Sequence, residues 1–239
     1  FLGNMVHGDL GESLWTKQSA LSMVLERFPA TIKLALAATA LSTIIGGLIG
    51  VIAGMRQGSL LDRAVMAITL IGQSIPAFWL GIIFILVFAV SLRWLPSSGG
   101  GGLKHLVLPA VTLSAFYLAR MARIARASVA DEMRRPYVVT ARAKGLRESR
   151  VVWHHVLKNA AIPMVTIVTL DLGHLLSGSV IVETIFAWPG LGFLMAQAAY
   201  HRDFPLIQAS VMVIALVIVI VNFMADMIYT WVDPRIRYR

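Results

Sequence analysis

Between Arg63 and Arg93 the chain runs for 29 residues without a charged side chain. Two further runs, from Lys33 to Arg56 and from Asp203 to Asp226, each hold 22 uncharged residues. A helix over residues 31–55 rises about 37 Å, enough to cross the roughly 30 Å hydrocarbon core of a bilayer with some tilt. Segments of this length and apolarity predict an all-α integral membrane protein. Composition agrees, because only 14% of the 239 residues are charged, where a soluble domain carries about a quarter. The mean hydropathy is +0.77.

Five spans are predicted, at about 31–55, 64–92, 105–128, 160–182 and 206–228, within one membrane domain over 31–232. Residues 1–30 form an N-terminal segment in which 20–27 suit a short amphipathic surface helix ended by Pro29, and 233–239 form a tail. Gly46, Gly47, Gly50 and Gly54 supply small residues four apart, a pattern that lets helices approach closely. Pro76 predicts a kink in the second span. Trp79 and Trp94 suit interface anchors, and the glycines up to Gly102 make a flexible loop.

The long polar break is 131–159, flanked by a basic helix end. Arg120 to Lys158 holds ten Lys or Arg against Asp131, Glu132 and Glu148. Placing the loops at 56–63, 120–158 and 233–239 on one side gives that side fifteen of the 21 cations. The positive-inside rule puts that side in the cytoplasm and the start of the chain outside. The net charge of +9 is therefore a matter of topology and lipid contact, not of nucleic-acid binding. Arg120, Arg123 and Arg126 repeat every third residue and suit lipid phosphates or a partner.

Within the polar break, Pro136 suits the first position of a helix and Gly145 suits its left-handed end. Tyr137, Thr140, Ala141 and Lys144 fall on one face at helical spacing. A short, basic helix with small side chains, held between two spans, predicts a docking surface for a soluble partner. A second helical run, about 148–159, leads into the next span.

These residues carry a resemblance. The run Tyr137, Val138, Val139, Thr140, Ala141, Arg142, Ala143, Lys144, Gly145, Leu146, followed by His155, Leu157, Asn159 and Ala160, resembles the EAA loop of binding-protein-dependent ABC importer permeases. Within that family it is similar to the dipeptide/oligopeptide/nickel branch. Pro136 stands where the branch usually has an acid, and Lys158 where the general pattern has proline. The run from Gly8 to Ser13 resembles a GDLG-x-S segment, and Ser74 to Trp79 a SIP-x-FW pattern. Glu183 to Gly192, ETIFAWPGLG, resembles the signature of the B-type subunit. The tail from Asp233 to Arg237 matches the family ending.

The resemblance implies a type-I (MetI-like) permease fold in a bacterial or archaeal inner membrane. It implies two ATPase subunits, a homologous second (C-type) permease and an extracytoplasmic solute-binding protein. Tyr137, Thr140, Ala141, Arg142, Ala143, Lys144, Gly145 and Leu146 are then the ATPase-coupling residues. Peptides, glutathione or nickel are the solutes it implies. Five spans, an odd number, join the outside start of this sequence to an inside end, and the resemblance implies a further span before the GDLG segment.

No G-x-x-x-x-G-K-[ST], G-x-S-x-G or H-E-x-x-H pattern occurs, so the sequence offers no ATP site, serine nucleophile or zinc site of those kinds. There are no cysteines. His154 and His155 are adjacent, so their side chains diverge on a helix. No catalytic, cofactor or metal residue is expected. Asp171 and His174, three apart, share a face within a span, and with Ser177 they are candidates for the translocation path. Asp226, near the end of the last span, suits a structural or interfacial role. A competing reading makes Asp171 and His174 the relay of an ion- or proton-coupled secondary transporter, and a third makes the chain a membrane enzyme. Co-purification with ATPases discriminates the importer from both.

Overall fold

The computed structural model describes residues 10–232. Gly8, Asp9 and the 233–239 tail lie outside the described residues, and so do the side chains of Ser177 and Asp226. Every long element is helical. Four helices are long and apolar enough to cross a membrane: α1 (Ala20–Met55), α4 (Leu103–Glu132), α6 (Glu148–Leu176) and α9 (Phe204–Ala225). Helices α2 (Leu60–Ser74) and α3 (Ala77–Ser91) make a fifth when taken as one interrupted span.

Three boundaries differ from the sequence expectation, and proline accounts for two. Helix α1 starts at Ala20 and carries Pro29 inside it. A single proline removes one N–H bond, and neighbouring groups absorb that loss within a packed membrane helix. At Pro76 the helix does not merely kink: Ile75 and Pro76 are both extended, at ψ 122° and 137°, and separate α2 from α3. The ring of proline excludes the residue before it from helical backbone, which converts a bend into a break. The fourth span is α6, which carries on to Gly178. After Ser179 the short α7 (Val180–Ile185) follows.

The chain forms two compact units. The first takes in Phe1–Ala38, Pro76–Leu113 and Leu172–Phe223, and the second takes in Thr39–Ile75, Ser114–Asp171 and Met224–Arg239. In the first unit Leu10, Val24, Leu191, Leu194 and Leu206 form a core. Its apolar outer surface is equally marked, with Leu216 and Val219 of α9 exposed, as suits contact with lipid.

In the second unit the glycine row of α1 meets α4 backbone to backbone. A Cβ on Gly46 would lie 2.5 Å from the Leu118 carbonyl oxygen, and one on Gly54 would lie 2.7 Å from that of Arg126. Gly50 meets the Ala122 carbonyl in the same way. The three contacts repeat every four residues on both helices, so the pair packs in fixed parallel register.

Candidate functional site

The segment expected to meet an ATPase lies in the second unit. Helix α5 runs Pro136–Ala143, with Pro136 in its first turn after an extended Arg135. Its end is a Schellman turn. The Leu146 N–H donates to the Ala141 carbonyl at 3.3 Å, and the Gly145 N–H donates to the Arg142 carbonyl at 2.9 Å. Gly145 has φ +74°, the left-handed conformation this turn requires.

The segment is anchored from three sides. Val138 and Ala141 point inward and pack with Val129, Val151, Val156 and Ala160, and Leu146 covers their edge. The Tyr137 hydroxyl donates to the Glu132 carboxylate and accepts from the Asn159 amide at 3.1 Å. Burial, then the Glu132 carboxylate, raises the phenol above its ordinary pKa, so it stays a donor. Arg142 forks onto Glu148 at 3.1 and 2.6 Å. A π-helical turn, Val152–Val156, lets α6 present His155 and Asn159 toward Tyr137.

Two expectations change here. Ala141 is 7% exposed and belongs to the inner packing, not to an outward small face. The outward residues are Val139, Thr140, Ala143 and Lys144, with Val139 60% exposed. Arg142 is paired within the chain, which leaves Lys144 as the exposed cation beside it. Periodicity fixed which residues share a face; only the partner cluster decides which face is inside.

The basic row of α4 also turns inward. Arg120 donates to Asp171 at 2.6 Å, and Asp171 is 4% exposed. Arg126 forks onto Asp62 at 2.9 and 2.7 Å. Two of the three arginines that suited lipid phosphates or a partner therefore hold buried carboxylates within the chain. Asp171, a candidate for the path, lies against Arg120 of α4, and His174 is exposed. The Asp62–Arg126 pair was not anticipated.

In the first unit, the ETIFAWPGLG stretch is a capping device. Glu183 is fully buried. Its carboxylate accepts from Ser179 at 2.9 Å and from the N–H groups of Gly192 and Phe193 at 2.7 and 3.2 Å. Those N–H groups open α8 (Leu191–Tyr200), so the acid fills a helix N-terminus that lacks internal acceptors. The Thr31 hydroxyl takes the Leu191 N–H, and the Trp188 indole donates to the Ala30 carbonyl, at 2.8 and 2.9 Å. Gly192 is required by proximity: a Cβ there would lie 2.5 Å from the Val180 Cα. Asp203 repeats the device at α9, accepting from Ser13 and from the N–H groups of Leu14, Trp15 and Leu206. Burial alone would raise the Asp203 pKa; those four donors override it and hold the carboxyl below its ordinary value.

Comparison with known proteins decides the family. The model for "Binding-protein-dependent transport system inner membrane component" matches residues 46–238. The chain belongs to this family. It is 40% identical to the di/tripeptide transport system permease protein DppB of Pseudomonas aeruginosa, over all of this chain and 80% of that protein. It is 42% identical to the glutathione transport system permease protein GsiC of Pectobacterium atrosepticum, over all of this chain and 78% of the relative. The oligopeptide transport system permease protein AppB of Bacillus subtilis is 40% identical over all of this chain and 79% of its own length. An inward-facing structure of the MetNI methionine ABC transporter shares the fold at TM-score 0.75 and 21% identity, covering 88% of this chain and 96% of that one.

A permease of this family is a multi-pass inner-membrane protein. It works with an ATPase and a binding protein, and ATP hydrolysis belongs to the ATPase. The all-helical fold of the permease agrees with that place.

Proposed function

We propose that the chain is the B-type permease of an importer for short peptides or glutathione, paired with a homologous C-type permease and two ATPases. The observation that carries this is the level identity, 40–42%, to di/tripeptide, oligopeptide and glutathione permeases along the whole chain. Energy reaches the membrane path through α5. Its outward residues Val139, Thr140, Ala143 and Lys144 meet the ATPase, while Tyr137, Ala141, Arg142, Gly145 and Leu146 hold the helix rigidly on α4 and α6. A rigid connector is what the task requires, because an ATPase shifts the membrane helices only by as much as its contacts differ between two states.

Asp171 and His174 lie on α6, and Ser177 lies a turn further on. We assign Asp171 to the fixed frame of the path, its charge balanced by Arg120, and His174 to its accessible surface. The test is reconstitution with the cognate binding protein, second permease and ATPases in vesicles. ATP-dependent uptake of a labelled dipeptide, tripeptide or glutathione is expected. Uptake of none of them, with active ATPases, rejects the solute class.

A further inference from the structure

Three charged side chains near the start of α1 are spent on no ion pair. Glu26, Arg27 and Lys33 have no oppositely charged group within 4.0 Å among the described residues. All three open onto a cleft of about 650 Å³ within the first unit, together with Trp188 and the backbone of residues 100–102. That is a volume typical of small-molecule sites.

The glycine loop supplies a second observation. Its start is pinned, because the Gly99 N–H donates to the Phe186 carbonyl at 2.9 Å. It then lies directly on the turn before α8: a Cβ on Gly100 would meet Pro189 Cγ at 2.6 Å. The N–H groups of Gly100, Gly101 and Gly102 donate to no acceptor among the described residues. The cleft thus combines two cations, unspent backbone donors and one acid.

We propose that this cleft is an extracytoplasmic holding site for a short zwitterionic peptide. Lys33 and the glycine N–H groups receive its carboxylate, and Glu26 receives its ammonium group, with Arg27 beside Glu26 on the cleft wall. The spacing fits this. Glu26 and Lys33 lie two helical turns apart on one face of α1, about 10 Å along the axis. An extended peptide advances about 3.3–3.6 Å per residue, so roughly three residues bridge that distance. The positive-inside count places this end of α1 outside the cell, where solute is delivered. The peptide identity rests on the importer reading above; the charged site does not.

Equilibrium dialysis of labelled trialanine tests the site, using the complete permease–ATPase complex in nanodiscs without the binding protein. Saturable binding is expected. C-terminal amidation of the peptide and the Lys33→Gln variant should each weaken it at least tenfold. Glu26→Gln should weaken trialanine binding likewise and leave N-acetyl-trialanine unchanged. The amidation comparison uses unaltered protein, so misfolding of a variant cannot mimic it. Absence of saturable binding, or equal binding of acid and amide, overturns the site whether or not vesicles take up peptide. Charge-dependent binding without peptide uptake keeps the site and removes the importer's solute class instead.

Discussion

Arg126 grips both carboxylate oxygens of Asp62, at 2.9 and 2.7 Å, across 64 residues of sequence. Asp62 also accepts the Gly58 N–H at 2.9 Å, so the loop after α1 and the first turn of α2 are tied to α4 through one side chain. Asp62 is 2% exposed. Removing one partner of a buried pair leaves the other charge uncompensated, at a cost of about 3–5 kcal/mol. Arg126 keeps partial access to water, so the lower end applies. Asp62→Ala and Arg126→Ala should each lower the SDS-unfolding stability of the purified complex by about 3 kcal/mol. The double variant should lose clearly less than the two single losses together; strict additivity would show that the fork contributes no coupling.

The orientation of α5 separates two substitutions that look equivalent on a helical wheel. Val139→Glu places a charge on the outward face and should leave permease abundance near wild type while releasing the ATPase. Ala141→Glu drives a carboxylate into the Val129, Val138 and Val156 cluster, where an unpaired charge is costly enough to unfold the segment. Its signature is lost permease abundance. Co-purified ATPase measured at matched membrane levels distinguishes them, and the reverse pattern would mean that the faces of α5 are exchanged.

Gly145 differs from both. A side chain there meets nothing within 4 Å inside the chain, so the cost is confined to the left-handed backbone. Gly145→Ala should cost about 1–2 kcal/mol and keep uptake. Gly145→Glu should insert normally but uncouple ATP hydrolysis from uptake. Wild-type coupling in Gly145→Glu removes this turn from the ATPase contact.

The buried cap at α8 predicts a severe effect from a mild change. Glu183→Gln keeps the size of the side chain but weakens three charge-assisted bonds, each worth about 1.5–3 kcal/mol. Gly192→Ala forces a Cβ against the Val180 backbone. Both should lower thermal stability in detergent far more than Gly72→Ala, whose Cβ meets only the Ala119 Cβ, at an ordinary 3.8 Å. An unchanged melting temperature in Glu183→Gln would exclude the capping role.

Asp203 gives a pH dependence. Its folded pKa lies below the unfolded value, so its contribution is full above about pH 4 and is lost as pH falls through the folded value. Asp203→Asn should therefore be less stable than wild type at pH 7, with the gap closing below pH 4. A gap independent of pH would assign the loss to packing.

The legible parts of this chain were those with local signals. Apolar run length exposed the spans, and Pro136 with Gly145 bounded α5 to within a residue or two, because cap chemistry acts over a few neighbours. The ion pairs were not legible. Arg120 and Arg126 look identical to lipid-facing anchors until their partners, 51 and 64 residues away, are folded beside them. Spacing alone could not tell that Ala141 faces inward, since the Val129–Val156 cluster comes from two other helices. The ETIFAWPGLG stretch stood out as a pattern, yet its reason is a buried carboxylate that meets two N–H groups nine and ten residues on.

The glycine row of α1 has a mechanical consequence. Gly46, Gly50 and Gly54 mesh with the carbonyls of Leu118, Ala122 and Arg126 like a rack against its mate. With no α1 side chains at the contact, the helices cannot creep past each other by a fraction of a turn. Axial slip is the one motion the pair excludes. Since α5 hangs directly from the end of α4, a tug on that short helix reaches α1 with no slack to absorb it.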